Sequence, residues 1–510
     1  MKEKSSFMDK FINGIEIVGN KLPHPFLLFI YLWLIILVLS QLLNGISAID
    51  PVSKESVSIV GLLNREGFDW ILKSMIKNYV GFSPMGTVLT MMLGLGIVTH
   101  SGLLNDSMGK LSDVSESKLT YLILLIGICG NIASGAASAI IPSLSAMLFY
   151  KIKKNPIFGL CIGFAGVTAG FTSNLMITGT DVLTAGITTE AINLVNKDYV
   201  VDPTSNWYFM IASTIALTTI GGFFINKVLM PKYGKWDDKY ENSEAVKEFE
   251  LIEYNEELEK RKNIGLRKVF RATVLFWGII IALWLIPGGP LRDIKEGTIV
   301  PSLFISGIIP LILIYFAIIG TIYGKELNTI NNINDFVKGM ESGLKGSIGF
   351  FVIAFPISQA IAAFGKSNIA TVMAINIAEF FVNSGINKFG LFFVVIFVTS
   401  LVNLFIVSGS SKWALLAPIF VPVMYYLGFS PELTQVLYRM GDSPTNIITP
   451  MQPFIGLHLS TIKKYDKDAG LGTIFSRTFP LSILFILIFI ILFLIWYALG
   501  LPLGPGVPIR

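Results

Sequence analysis

The sequence predicts an all-α polytopic membrane protein: about nine transmembrane helices plus two re-entrant helical hairpins, built as an inverted repeat within one membrane domain. Three observations predict it: an apolar composition, the placement of charged loops, and two related copies of an interrupted apolar segment. Of 510 residues, 53% are hydrophobic and only 14% charged, with a mean hydropathy of +0.67. Soluble domains carry about a quarter charged residues. Segments such as PLSILFILIFIILFLIWYALG (Pro480 to Gly500) are long enough to cross ~30 Å of hydrocarbon as a helix. The N-terminal MKEKSSFMDKFINGIEIVG is polar and has no small-residue cleavage site, so the first span is expected to stay in the mature protein.

Several function classes drop out early. Cys129 and Cys161 lie in apolar runs, which suggests neither a disulfide framework nor a metal site. His24, His100 and His458 are the only histidines, and neither HExxH nor GxSxG occurs, so no hydrolase is legible and no cofactor is expected beyond a bound Na+. A P-loop of the form GxxxxGK[ST] is missing too, which disfavours ATP-driven transport. The net charge of +5 sits in loops and reads as topology signal, not as a nucleic-acid surface.

Apolar runs fall at 24–46, 86–104, 119–150, 157–195, 207–231, 269–287, 301–323, 343–364, 388–428, 432–460 and 476–500. Short loops rich in Lys and Arg should be cytoplasmic. They include the N-terminus (Lys2, Lys4, Lys10, Lys21), KIKK (Lys151 to Lys154) and KKYDK (Lys463 to Lys467). Since 105–118 and 151–156 both read as cytoplasmic, 119–150 must enter and return on one side. The same reasoning puts 365–387 and GFSPE (Gly428 to Glu432) outside, which makes 388–428 a second hairpin entering from the opposite face. The N-terminus is then inside and the C-terminus outside. The charged stretch 232–268 reads as a cytoplasmic loop, with EFELIEYNEELEK (Glu248 to Lys260) as an amphipathic helix.

The repeat is visible in residues as well. NIASGAAS (Asn131 to Ser138) in the first hairpin parallels NLFIVSGSS (Asn403 to Ser411) in the second, and GFTSN (Gly170 to Asn174) parallels GDSPTN (Gly441 to Asn446) downstream. Residues 119–195 form one unit and 388–460 the other, each a hairpin followed by an interrupted span. Interrupted segments in corresponding positions of two halves point to a transporter's binding site.

Non-helical backbone at membrane depth is tolerated only where protein buries it or a watery cavity receives it. The breaks supply Ser134, Ser408, Ser410, Asn174 and Asn446, together with free carbonyls suited to a hard cation such as Na+ and amide N–H groups suited to a carboxylate. The rival reading of the small residues is helix packing. Arg439 and Asp442, three apart, share a helical face and can pair. A charge at the bilayer centre costs ~2.5–3.5 kcal/mol, so both are functional candidates, the alternative being a structural ion pair. Asp181, without a sequence-local cation, would bind a coupling ion, shuttle a proton or cap a helix start. Trp413 would stack on an aromatic substrate or serve packing.

With these residues assembled, the chain resembles the p-aminobenzoyl-glutamate transporter (AbgT) family of bacterial inner-membrane proteins, almost end to end. The resemblance lies in GNKLPHPFLLFIYL (Gly19 to Leu32), GNIAS (Gly130 to Ser134), FAGVTAGFTSNL (Phe164 to Leu175), SGSSKWALLAPIFVPV (Ser408 to Val423), GFSPELTQVLYRMGDSPTNIITP (Gly428 to Pro450) and LPLGPG (Leu501 to Gly506). It implies nine spans and two hairpins in a homodimer, with Asp181, Ser410, Trp413, Pro431, Arg439, Asp442 and Pro450 lining the substrate region. Family members look like importers of p-aminobenzoyl-glutamate or like cation- or proton-driven exporters of sulfonamide-type antimetabolites. Two departures stand out: Gly135 follows GNIAS where relatives often carry Asp, and Lys412 precedes Trp413 where several carry a neutral residue. Lys412 would alter substrate charge preference or snorkel away.

The expectation is therefore secondary active transport of a small aromatic anion in the lipid bilayer, coupled to a sodium or proton gradient. Asn174, Ser410, Trp413, Pro431, Arg439, Asn446 and Pro450 would bind substrate, and Asp181, Asp442, Ser134 and Ser408 would couple the ion or proton. Sulfonamide efflux is the nearest rival, and an ion channel the rival of a different class.

Overall fold

The computed structural model describes residues 23–51, 54–108, 116–133, 135–241, 256–295, 297–300, 302–385 and 387–509. Its N-terminal part runs α1 (Pro25–Leu42), a small hairpin of β1 (Ser47–Ile49) and β2 (Ser56–Ser58), α2 (Arg65–Val80), α3 (Pro84–His100) and α4 (Leu103–Met108). Next come α5 (Glu116–Cys129), α6 (Gly135–Lys151), α7 (Pro156–Phe164), α8 (Gly179–Ile192), α9 (Trp207–Phe224) and α10 (Met230–Tyr233). The central helices are α11 (Glu256–Leu285), α12 (Leu303–Ser306), α13 (Ile308–Leu327), α14 (Ile333–Lys366) and α15 (Ile369–Asn383). The last five are α16 (Lys388–Asn403), α17 (Gly409–Tyr426), α18 (Pro431–Thr445), α19 (Ile455–Tyr465) and α20 (Leu471–Leu499).

Among the described residues, seven helices are long and apolar enough to cross a membrane: Pro25–Leu42, Arg65–His100, Trp207–Tyr233, Glu256–Leu285, Ile308–Leu327, Ser347–Lys366 and Leu471–Leu499. The stretches read as interrupted spans, 157–195 and 432–460, are each two helices parted by a break. In the first, α7 runs into a π-helical turn (Ala165–Ala169) before α8; in the second, α18 runs into a 3₁₀ turn (Asn446–Ile448) before α19. The segments read as hairpins are α5 and α6, turning at Gly130–Ala133, and α16 and α17, turning at residues 404–408.

Two stretches differ from the sequence reading. Residues 365–387, read as an outer connection, contain α15, whose buried Ile369, Val372, Ile375 and Ala378 give it a packed face. At 15 residues it spans about 22 Å, too short for a span count to register. The amphipathic helix expected at 248–260 lies largely outside the described residues. Its last turn, from Glu256, is continuous with α11, so helix replaces loop over 256–268.

Close helix approach depends on glycine. At the α3–α14 crossing, a Cβ on Gly343 would collide with the Met92 carbonyl and stand 2.9 Å from the Gly96 Cα. Gly339 and Gly343 form a small-xxx-small stripe facing Gly96, the usual device for bringing two membrane helices into backbone contact. A second pair, Gly127 on α5 and Gly166 in the π-turn, seats the first hairpin against its broken helix; a Cβ on Gly127 would lie 2.8 Å from the Gly166 Cα.

Candidate functional site

The two breaks meet in the interior. Thr172, in the break after α7, donates its backbone N–H to Ser443 Oγ on α18 at 3.0 Å, and their hydroxyls lie 2.6 Å apart. Asn446 reaches back from the second break to donate Nδ2 to the Thr168 carbonyl at 3.2 Å. Carbonyls and amides that an unbroken helix would satisfy internally are thus shared between the repeats, which is how irregular backbone survives at membrane depth.

Two buried ion pairs stand at this junction. Arg439 on α18 donates Nη1 to Asp181 Oδ1 at 2.6 Å and to the Thr172 carbonyl at 3.3 Å, and Nη2 to Thr184 Oγ1 at 2.7 Å. Asp181 sits at the third residue of α8 and closes a capping box, its Oδ2 accepting the Thr178 N–H at 2.7 Å and the Thr178 hydroxyl at 2.8 Å. Its capping and ion-pairing roles are therefore held at once, one on each carboxylate oxygen. The second pair joins Asp442 on α18 to Lys412 on α17, both fully buried.

The pairing of Arg439 with Asp442 along one helix, read from their spacing, is therefore not formed. Each side chain instead meets a partner on a facing helix. A desolvated charge is best compensated where several donors or acceptors converge on it. Thr172, Asp181 and Thr184 offer Arg439 three oxygens, more than one exposed-style i,i+3 contact provides. Lys412 does not snorkel; Asp442 and Asn403 hold it inside.

Trp413 is fully buried with its ring stacked on Tyr438, centroids 4.3 Å apart, and its Nε1 donates to Thr188 Oγ1 at 2.9 Å. Its face is covered by protein, which is the packing alternative. Ser408 is the N-cap of α17, and its hydroxyl accepts the Ser411 N–H at 3.4 Å; Ser410 lies partly exposed beside it. A cavity of about 290 Å³ opens here, lined by Phe29 of α1, Phe405, Ser408, Ser411, Met451 and Pro453. Pro450 sits half-buried in the neighbouring break.

Asn174 is buried on the first-repeat side, donating Nδ2 to the Ile128 carbonyl at 3.3 Å, with its Oδ1 unpartnered among the described residues. Pro431 opens α18, roughly 16 Å along the axis from Asp442, and is not brought to the junction. Ser134 lies outside the described residues. Sequence reasoning missed Asn403, Thr172, Thr184, Thr188 and Ser443 as partners. Asn403 had a signal, since each hairpin turn carries an asparagine: Asn131 donates to the Ile128 and Val167 carbonyls, and Asn403 to the Asp442 carbonyl.

The family model described as "AbgT putative transporter family" matches residues 10–510.

The chain belongs to the AbgT transporter family.

A p-aminobenzoyl-glutamate transport protein of Escherichia coli (strain K12) is 38% identical over 507 residues, covering 99% of this chain and 97% of that protein. Two solved structures superpose closely. The Alcanivorax borkumensis YdaH transporter, reported to have an unusual topology, is 30% identical with a TM-score of 0.87, covering 95% of this chain and 100% of that one. Neisseria gonorrhoeae MtrF, described as illuminating a class of antimetabolite efflux pumps, is 36% identical with a TM-score of 0.88, covering 98% of this chain and 100% of that one. An AbgT chain is a membrane transporter by family, and the described helices give this one the matching multi-pass character.

Proposed function

We propose that this AbgT protein is a secondary active transporter of p-aminobenzoyl-glutamate or related small aromatic carboxylates, driven by a sodium or proton gradient across the bacterial inner membrane. The observation that carries the reading is the meeting of two broken helices, cross-braced by buried charges, beside an apolar cavity at a serine-capped helix N-terminus. Phe29 and Phe405 offer that cavity an aromatic lining, and the amides at the start of α17 suit a carboxylate. The sequence similarity to the E. coli transport protein supports the substrate class. In this reading nine spans and two hairpins (119–150 and 388–428) form each protomer of a homodimer, with the N-terminus cytoplasmic. The hairpins and broken helices move against the remaining spans in alternating access.

The likeness to MtrF supports a second reading, efflux of sulfonamide-type antimetabolites through the same site. One experiment separates these and the channel alternative: uptake of labelled p-aminobenzoyl-glutamate into proteoliposomes under an imposed Na+ gradient and, separately, an H+ gradient. Saturable uptake with counterflow is expected. Unsaturable conduction without counterflow would replace the transporter with a channel. Inert vesicles of confirmed orientation that instead accumulate a sulfonamide would favour efflux.

A further inference from the structure

We propose that Lys412 is a tethered cation: its ammonium fills an oxygen-lined seat between Asn403 and Asp442, so the second repeat takes no free Na+ there. This rests on the transporter reading for its consequence, though not for its binding test. Lys412 lies in the first turn of α17, where the helix dipole presents its positive end and disfavours a second positive charge. Lysine near a helix end ordinarily extends its stem toward water. Here the side chain is fully buried, and its Nζ contacts Asp442 Oδ1 and Asn403 Oδ1. A cation placed against its helix dipole and away from solvent needs a strong local reason, and the seat supplies one.

The seat is built, not incidental. The Asn403 amide nitrogen donates to the Asp442 carbonyl at 2.6 Å, to Thr445 Oγ1 at 2.7 Å and to Asn446 Oδ1 at 3.0 Å. Those bonds pin the side chain across the second break and leave its Oδ1 facing the ammonium. Carboxylate and amide oxygens beside a broken helix are the donor set of a hard monovalent cation. An ammonium carries the same charge and three donors. Among the described residues Lys412 is the one cation in salt-bridge contact with Asp442, as Arg439 is with Asp181. Each pair is neutral as a whole, so each carboxylate already has a protein cation where a free ion would otherwise be recruited. The first repeat lacks this device: SGAAS there stands against SGSSK here, with Ser138 at the position of Lys412.

The test compares melting of the purified protein in NaCl and in N-methyl-glucamine chloride at equal ionic strength. Wild type should show no Na+-specific shift that depends on Asp442. Lys412→Met, similar in length and uncharged, should gain a saturable Na+-specific upward shift that Lys412→Met/Asp442→Asn lacks. A saturable Na+-specific shift in wild type that Asp442→Asn removes would overturn the proposal, as would a folded Lys412→Met with no response to Na+. Should Lys412→Met fail to fold, the wild-type titration with its Asp442→Asn control decides alone. Because melting needs no transport, loss of the transporter reading would leave this result standing.

Discussion

Arg439 of the second repeat closes on Asp181 of the first, Nη1 to Oδ1 at 2.6 Å, with Arg439 fully buried. The contact ties α18 to the N-terminus of α8, which Asp181 also caps.

Breaking one side of this pair should cost about 3–5 kcal/mol, because the partner charge stays buried and uncompensated. Asp181→Asn and Arg439→Gln should each lower the melting temperature strongly, and the double variant should cost far less than their sum. Coupling of roughly 1–3 kcal/mol in a double-mutant cycle is expected. Additive losses would show that the pair is not energetically joined.

Trp413 is a packing residue in this conformation. Trp413→Ala should destabilise by about 3–5 kcal/mol, whereas Trp413→Phe keeps a ring against Tyr438 and should cost less, losing the bond to Thr188 (about 0.5–1.5 kcal/mol) and part of the ring volume. Substrate KM should barely move in the Phe variant. A Trp413→Ala protein of unchanged melting temperature and sharply raised KM would reassign the ring to substrate.

The cavity beside α17 offers a complementary test. Val407→Trp projects bulk into the 290 Å³ space and should lower uptake several-fold while leaving the melting temperature near wild type. Full uptake in that variant would place the substrate elsewhere.

At the α3–α14 crossing, Gly343→Ala forces a methyl into the Met92 carbonyl and should impair folding, measured by yield and monodispersity in detergent. Gly86→Ala, on α3, meets nothing within 4 Å and should be neutral or slightly stabilising, by up to about 1 kcal/mol. Equal behaviour of the two would refute the close-approach account.

Outside the membrane spans, burial pushes the Asp466 carboxyl up, but Lys239, 2.9 Å away, and the Asp468 amide outweigh it and hold it below its ordinary 3.8. A lowered carboxyl contributes stability that is complete above the unfolded value and fades as pH falls through the folded one. The melting gap between wild type and Asp466→Asn should therefore be constant near neutrality and close below about pH 3.8. A gap that persists in acid would mean Asp466 acts by packing alone.

The breaks were legible because Gly, Ser, Asn and Pro interrupt otherwise apolar runs, and a second copy of the pattern confirmed which interruptions matter. The charge pairing was not. Spacing rules see neighbours along one helix, whereas Asp442 finds Lys412 thirty positions away and Arg439 finds Asp181 in the other repeat. Trp413 looked like a stacking platform because sequence cannot show that Tyr438 already covers it. Helix α15 escaped because hydropathy weighs length, and its packed face serves neighbours within the protein.

The Asp181–Arg439 latch also limits how the molecule can change shape. Sliding α8 past α18 would strand two charges in a medium too poor to solvate them, so any change of shape is expected to keep those helices together as one block. The glycine-smooth seam between α3 and α14 has no such ionic stitching among the described residues: its helices meet by close backbone approach and apolar side chains.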